Sequence, residues 1–237
     1  MTEPTREAQL LSTFAVLADS LVAGFDVVDL LQTLVDRCHQ LLGATAAGIL
    51  LADDNGELEL VVSTSEASRL VETMQIAAHA GPCIESFTTG RPVSIADIRE
   101  APAEWRMFRD SALDLGFRSV HAIPMRLRDS TIGTLNLLRD QTGSLAEDDL
   151  VAARAFADVA TIAVLQERTI READTVRSQL QNALNSRVVI EQAKGVVAHR
   201  RGITPEEAFD VIRTHARSNQ LSISSVATQL VERRLVI

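Results

Sequence analysis

From Leu145 to Lys194, fifty consecutive residues contain neither glycine nor proline. Nothing in that run supplies the turn chemistry that stops a helix, so it predicts one very long helix, or two with a soft joint. At 1.5 Å per residue a helix of this length spans about 75 Å. No domain in a chain of 237 residues needs such a helix internally, so the run is expected to connect two parts. A heptad reading places Val159, Gln166, Ala173, Leu180 and Arg187 at one seam position and Ile162, Thr169, Val176, Ala183 and Ile190 at the other. Gln166, Thr169 and Arg187 weaken that seam, but a parallel two-stranded coiled coil fits the rest. A helix packed on its own domain is the alternative.

Ahead of this run the sequence alternates helix and strand signals. Residues 5–23 carry Leu10, Phe14, Leu17 and Leu21 at helical spacing, and a second helix runs from an Asp26 cap to Leu42, where Gly43 stops it. Ala46–Ala52 and Leu58–Ser63 flank Asp53-Asp54-Asn55-Gly56, a hairpin signal. Helices are predicted at 66–78, at 82–89 behind Pro82, and at 103–115 before Gly116. A short strand is predicted at 92–95 and a second strand pair at 119–128 and 131–139, joined at Asp129-Ser130. This order predicts an α+β domain over residues 1–165 with an antiparallel sheet and flanking helices.

Several classes can be set aside. Hydrophobic residues make up 46% of the chain, enough to build a core and too many for disorder. No window approaches 18 uninterrupted apolar residues, so no membrane span is expected. The segment Met1-Thr2-Glu3-Pro4-Thr5-Arg6-Glu7 lacks the basic start and apolar stretch of a signal peptide, which points to the cytoplasm. Cys38 and Cys83 have no metal-ligand spacing and read as free thiols in a reducing compartment. No paired-carboxylate, Cys/His or phosphate-cradling glycine pattern suggests an enzyme.

The net charge of −9 is uneven: residues 1–165 sum to −12 and residues 166–237 to +3. A polyanion would therefore meet the C-terminal third. After Gly202, Thr204-Pro205-Glu206-Glu207 reads as a capping box, and Ser222 caps a last helix, so three helices with short connections are predicted at the C-terminal end. On the first of them Arg187, Glu191, Lys194, Ala198 and Arg201 share one stripe, with Val189, Ala193, Val196 and Val197 on the core side. Lys194 is the one lysine of the chain. Gly195, in the helix interior, costs roughly 1 kcal/mol against alanine, which close packing or a closely approaching ligand would offset. The pattern assigns Phe209 to the core.

The residues Leu180-Gln181-Asn182-Ala183-Leu184, Ser186 to Gly195, Arg201-Gly202, Glu207-Ala208-Phe209, Ile212-Arg213, His215 to Asn219 and Val226-Ala227 resemble the ANTAR domain, over about residues 175–235. The resemblance implies a three-helix RNA-binding module that binds paired hairpins with six-base loops and blocks the competing terminator. Lys194 and Gly195 are carried over from that motif. Helical geometry and charge add Arg187, Arg200, Arg201, Arg213 and Arg217 as contacts, with Gln192, Ser218 and Asn219 as polar readers.

Upstream, Gly81-Pro82-Cys83, Thr89-Gly90-Arg91-Pro92-Val93, Asp97, Trp105, Phe108, Gly116 to Val120, Pro124-Met125 and Ile132 to Leu137 look like a GAF domain over residues 10–165. The resemblance implies a sensor, often with a small-molecule pocket, whose first and last helices pair in a dimer. Residues 1–165 hold no lysine, so the cyclic-nucleotide signature of that family is missing. No cofactor is identifiable. An unidentified small ligand is expected near Cys83, Phe87, Trp105 and Phe117. A redox or bilin role for Cys83, or haem on His79 or His121, is set against ordinary buried or surface residues.

The expected organisation is a sensor at 1–165, a connecting helix at 145–180 and an RNA-binding head at 175–237. Together these resemble an antitermination regulator of the actinobacterial GAF-ANTAR type, a homodimer acting on transcription through RNA. Two other readings remain at this point. One is a DNA-binding helix-turn-helix factor, although the last helix has no cation before Arg233. The other is a protein-interaction module with a degenerate sensor.

Overall fold

The structure, a computed structural model, describes residues 5–22 and 26–237. Met1–Pro4 and the side chains of Leu21 and Ala183, on which expectations rested, lie outside the described part. The chain divides into two compact units, Met1–Glu167 and Arg168–Ile237.

The first unit opens with helices α1 (Arg6–Val22) and α2 (Val27–Leu41). Asp26 starts α2 by accepting the backbone N–H of Val28 and Asp29, and Gly43 ends the segment at a left-handed φ of 62°. Strands β1 (Ala46–Ala52) and β2 (Leu58–Ser63) follow. Between them the Asp53 carboxylate accepts from the backbone of Asn55 and Glu57, which closes the hairpin. Then come α3 (Glu66–Ala78), α4 (Pro82–Thr89), β3 (Val93–Ile95), α5 (Arg106–Asp114), β4 (Ser119–Leu127), β5 (Ser130–Arg139) and the start of α6 (Glu147–Arg201). The strands form one antiparallel sheet in the order β2-β1-β5-β4-β3.

The period of two along each strand sends alternate side chains to two different cores. Ala47, Ile49, Leu135 and Leu137 meet α1, α2 and the beginning of α6, through Leu17, Leu31, Leu34, Val35 and Phe156. Phe14 stacks on Phe156 with ring centroids 4.7 Å apart. On the opposite face Ala46, Val120 and Leu138 pack with Val71, Ile98, Trp105, Phe108 and Phe117, while Leu50, Ala52 and Leu58 pack with Cys83.

Two boundaries differ from the sequence expectation. The helix expected over 103–115 begins as a 3-10 turn, Ala103–Trp105, and becomes α-helical only at Arg106. Trp105 is buried and offers no side-chain cap there. The second hairpin turns at Arg128-Asp129, one residue early, because the β4–β5 register slips between Met125 and Arg126. Arg128 takes a φ of 55° as a result.

The fifty-residue run without breakers is one helical element and extends to Arg201. In the second unit its last turns are followed by α7 (Pro205–Ser218) and α8 (Ile223–Val231). Gly202, at φ 67°, ends α6, and Thr204 and Glu207 make the reciprocal capping box. Ser222 caps α8 through Ser225. The core of this unit is Ala193, Val197, Ala208, Ile212, Ala216, Val226, Ala227 and Leu230. Half of these are alanines, so the three helices can approach closely.

Candidate nucleic-acid interface and sensor interior

The cations of the second unit fall into two groups. Arg187, Arg200, Arg217 and Arg233 are exposed and make no ion pair among the described residues. The others are engaged. Lys194 donates to both carboxylate oxygens of Glu191, at 3.0 and 2.9 Å, and its side chain is only 18% exposed. Arg201 Nε donates to the backbone oxygen of Ile237 at 3.0 Å. Arg213 donates to Asp210 Oδ1 at 2.6 Å and lies 5.9 Å from the ring centre of Phe209.

Arg201 and Ser218 share a groove of about 570 Å³, lined also by Asp210, Thr214, His215 and Val236. Asn219 caps α7, its amide donating to the His215 carbonyl at 2.8 Å. Gln192 and Gly195 are exposed on α6. A methyl group on Gly195 would meet nothing within 4 Å. Close packing inside the chain therefore does not explain this glycine.

Three sequence assignments change. Phe209 is half-buried beside Arg213 and is not part of the core. Ala198 packs against the core with Ile190 and Val189 and so leaves the expected stripe, of which Arg187, Glu191 and Arg201 are exposed and Lys194 is half-buried. Val196 is only half-buried.

The four side chains proposed for a pocket in the first unit do not converge. Cys83 and Phe87 belong to one apolar cluster, Trp105 and Phe117 to another. Cys83 is held at the head of α4, where its N–H donates to the buried amide oxygen of Gln75 at 3.1 Å. Gly81, at φ 142°, makes room for that amide. Burial, and the nearby Glu72, push the Cys83 thiol well up, and burial does the same to Cys38. Both thiols are therefore held in the unreactive protonated form. His79 sits at the exposed end of α3 with a φ of 50°. His121 is buried, bonded to Ser94 at 3.0 Å, and burial with Arg139 lowers its pKa to about 4.

A polar seam runs between those two clusters. Ser68, Glu72 and Gln75 of α3 are buried, as are Thr134 and Asn136 of β5, and Asn136 lies within reach of Glu72. Burial pushes the Glu72 carboxyl up to about 8. Sequence reading missed these residues. The signal was available: Ser68, Glu72 and Gln75 stand with Val71 on the apolar stripe of α3, and Asn136 interrupts the hydrophobic run of β5.

The sequence of the chain matches the GAF domain model over residues 26–165 and the ANTAR domain model over residues 178–231. The chain belongs to the GAF domain family, with an ANTAR domain following. An ANTAR domain implies RNA-binding antitermination control and a GAF domain implies a sensor, and both are regulatory rather than catalytic. The fold resembles the GAF domain of a phosphoenolpyruvate-protein phosphotransferase from Coxiella burnetii, at 18% identity and TM-score 0.56, covering 69% of this chain and 96% of that one. It also resembles a free methionine-R-sulfoxide reductase from Neisseria meningitidis, at 17% and 0.53, covering 70% and 91%. A domain of a putative two-component sensor histidine kinase from Sinorhizobium meliloti matches at 17% and 0.53, covering 66% and 99%. At these identities the likeness shows the fold alone. No curated protein matches the chain. Among the described residues no helix is long and apolar enough to cross a membrane.

Proposed function

We propose that this protein is a homodimeric, signal-gated antiterminator that binds paired RNA hairpins with six-base loops in nascent transcripts, where it prevents terminator formation. The carrying observation is that Arg187, Arg200 and Arg217 of the second unit are exposed without ion pairs among the described residues, and that Gly195 is exposed on α6. Unpaired guanidinium groups suit phosphates and the planes of splayed loop bases. α8 offers only Ile223 to Val231 without a cation, which speaks against its use as a DNA recognition helix. The site of action, on this reading, is the cytoplasm where the transcript is made.

Dimerisation is supported by apolar side chains of α6 that the chain leaves uncovered, including Ile162, Val176 and Leu180. These three are seam residues in the heptad reading. Two linked heads suit two hairpins in one transcript, with the gain in avidity that linked sites bring. Electrophoretic shift of two-hairpin RNA against single-hairpin RNA tests this. Tighter binding of the two-hairpin RNA is expected. Equal affinity refutes the paired mode, and competition by duplex DNA at equal strength refutes RNA selectivity.

A further inference from the structure

One edge of the sheet in the first unit carries a groove. β3 pairs with β4 only along Val120–Ala122, although β4 continues to Leu127. Next to the unpaired part of β4, a cavity of about 440 Å³ opens between that strand, the end of α4 and the early turns of α6. The beginning of α6 packs on the sheet face opposite the cluster that holds Val71 of α3, so this groove is separate from the polar seam around Glu72. Its lining is apolar at Pro92, Ile123 and Pro124, and charged at Arg126, Arg154 and Asp158. Pro124 has no N–H, so the strand lacks a donor that an added strand would need there.

We propose that this groove binds a small organic oxyanion, a carboxylate or phosphate carried on an apolar body, held by Arg126 and Arg154. The proposal goes beyond the antiterminator reading and does not rest on it. Three observations give the chemistry. Arg126 is fixed before any ligand arrives. It follows the register slip in β4, a local irregularity of the kind that re-aims side chains, and its Nη1 and Nη2 donate to the Gly90 and Arg128 carbonyls at 3.0 and 2.9 Å. A cation already held in place costs little further ordering on binding. Arg154 lines the same groove, is exposed, and has no ion pair or hydrogen bond among the described residues. Asp158 lies one turn further along α6, and a cation ahead of an acid is the weaker order for pairing on a helix. Two guanidinium groups against one carboxylate leave the groove positive, and guanidinium forks match pairs of oxygens. The apolar lining suits a ligand with a body rather than a bare ion. The net charge of −12 over residues 1–165 repels a polyanion, which favours a small one.

A ligand in the groove touches the sheet edge through Arg126 and α6 through Arg154 at the same time. Binding therefore favours the arrangement that keeps this part of α6 beside β4, by as much as the ligand's affinity for that arrangement exceeds its affinity for any other.

The test uses the full chain at pH 7 and constant ionic strength. Phenyl phosphate and benzoate are titrated in the millimolar range, with benzyl alcohol as the same body without the charge. Heat of binding and hydrogen exchange of residues 90–93, 123–127 and 154–158 are the readouts. The expected result is saturable binding of phenyl phosphate or benzoate, absent with benzyl alcohol, with slower exchange in those three segments. Arg154→Ala, at an exposed position that leaves the fold intact, should weaken binding about tenfold. Asp158→Asn removes the like charge and should tighten binding about twofold or more. No saturable response to either anion, an equal response to benzyl alcohol, or unchanged affinity in Arg154→Ala overturns the proposal. The head is excluded with a variant in which Arg187, Arg200 and Arg217 are all replaced by alanine. That variant should keep the response in full, and its loss there would place the anion on the head and overturn the proposal. Hairpin RNA binding, measured on the same proteins, should fall in the triple variant and stay unchanged in Arg154→Ala without anion, so the failure of either reading is seen separately.

Discussion

Replacing Gly195 with alanine should move stability and RNA binding in opposite directions. The residue lies inside α6, six positions before its end at Arg201, and its φ is not in the left-handed region. The added methyl meets nothing within 4 Å in the chain. Removing a glycine from such a position stabilises a helix by roughly 1 kcal/mol, because the unfolded backbone loses freedom and nothing in the folded state is displaced. Amides from Ala193 to Val197 should therefore exchange about fivefold more slowly, wherever opening of this turn limits exchange. If RNA lies against this face, the same methyl forces the RNA away and affinity should fall about tenfold, or roughly 1.4 kcal/mol. Hydrogen exchange by mass spectrometry and a filter-binding titration on one preparation give both numbers. Faster exchange would mean that the turn is packed against something in the chain. Unchanged affinity would remove the Gly195 face from the interface.

Other perturbations probe separate parts of the argument. Lys194→Gln should weaken RNA binding and lower the salt dependence of the affinity by about one phosphate contact, read from the slope of log K against log salt. An unchanged slope would mean that Lys194 only neutralises Glu191. Thr204→Ala removes the capping box of α7 and should cost about 1 kcal/mol in the second unit, measured by local hydrogen exchange. Leu180→Glu should dissociate the dimer, seen by light scattering, without unfolding the monomer, since Leu180 is 61% exposed. Glu72 also sets a pH dependence. Its folded pKa of about 8 lies above the ordinary 4.5, so the folded state holds a proton that the unfolded chain releases between those values. Stability from this group is complete below pH 4.5 and declines as pH rises toward 8. The difference in melting temperature between Glu72→Gln and the natural chain should therefore grow across that range. The contribution of His121, whose lowered pKa penalises folding as pH falls below 6.5 toward 4, cancels in the comparison. A difference that stays constant with pH would show that Glu72 ionises normally.

Caps and breakers were legible because they act through neighbouring residues alone. Asp26, Thr204 with Glu207, and Ser222 each satisfy backbone donors within a few positions, and each does so in the structure. The turn at Arg128-Asp129 was misplaced because it depends on a register slip several residues away, where β4 meets β5, and no local pattern encodes that slip. Phe209 was assigned to the core from helical phase. In the structure it stands beside Arg213, on the flank of a stripe centred on Ala208 and Ile212. The polar seam escaped for a different reason. Ser68, Glu72 and Gln75 come from α3 while Thr134 and Asn136 come from β5, and only the fold brings these segments together.

The division of cations in the head has a consequence for how RNA is read. Arg187, Arg200 and Arg217 have no ion-pair partner among the described residues to give up, so their attraction to phosphate is available at encounter and should dominate association. Lys194, Arg201 and Arg213 must first leave Glu191, the Ile237 carbonyl and Asp210, and each exchange is worthwhile only if the incoming group replaces the lost bonds in good geometry. Such residues add little to a loosely placed backbone and more to a well-fitted loop. Affinity for any RNA should therefore rest on the first group and discrimination between loops on the second. Arg217→Ala should lower binding to matched and mismatched hairpins alike, while Arg213→Ala should lower binding to the matched hairpin selectively. The ratio of the two affinities in each variant decides the matter, and an equal loss of discrimination in both variants would refute the division.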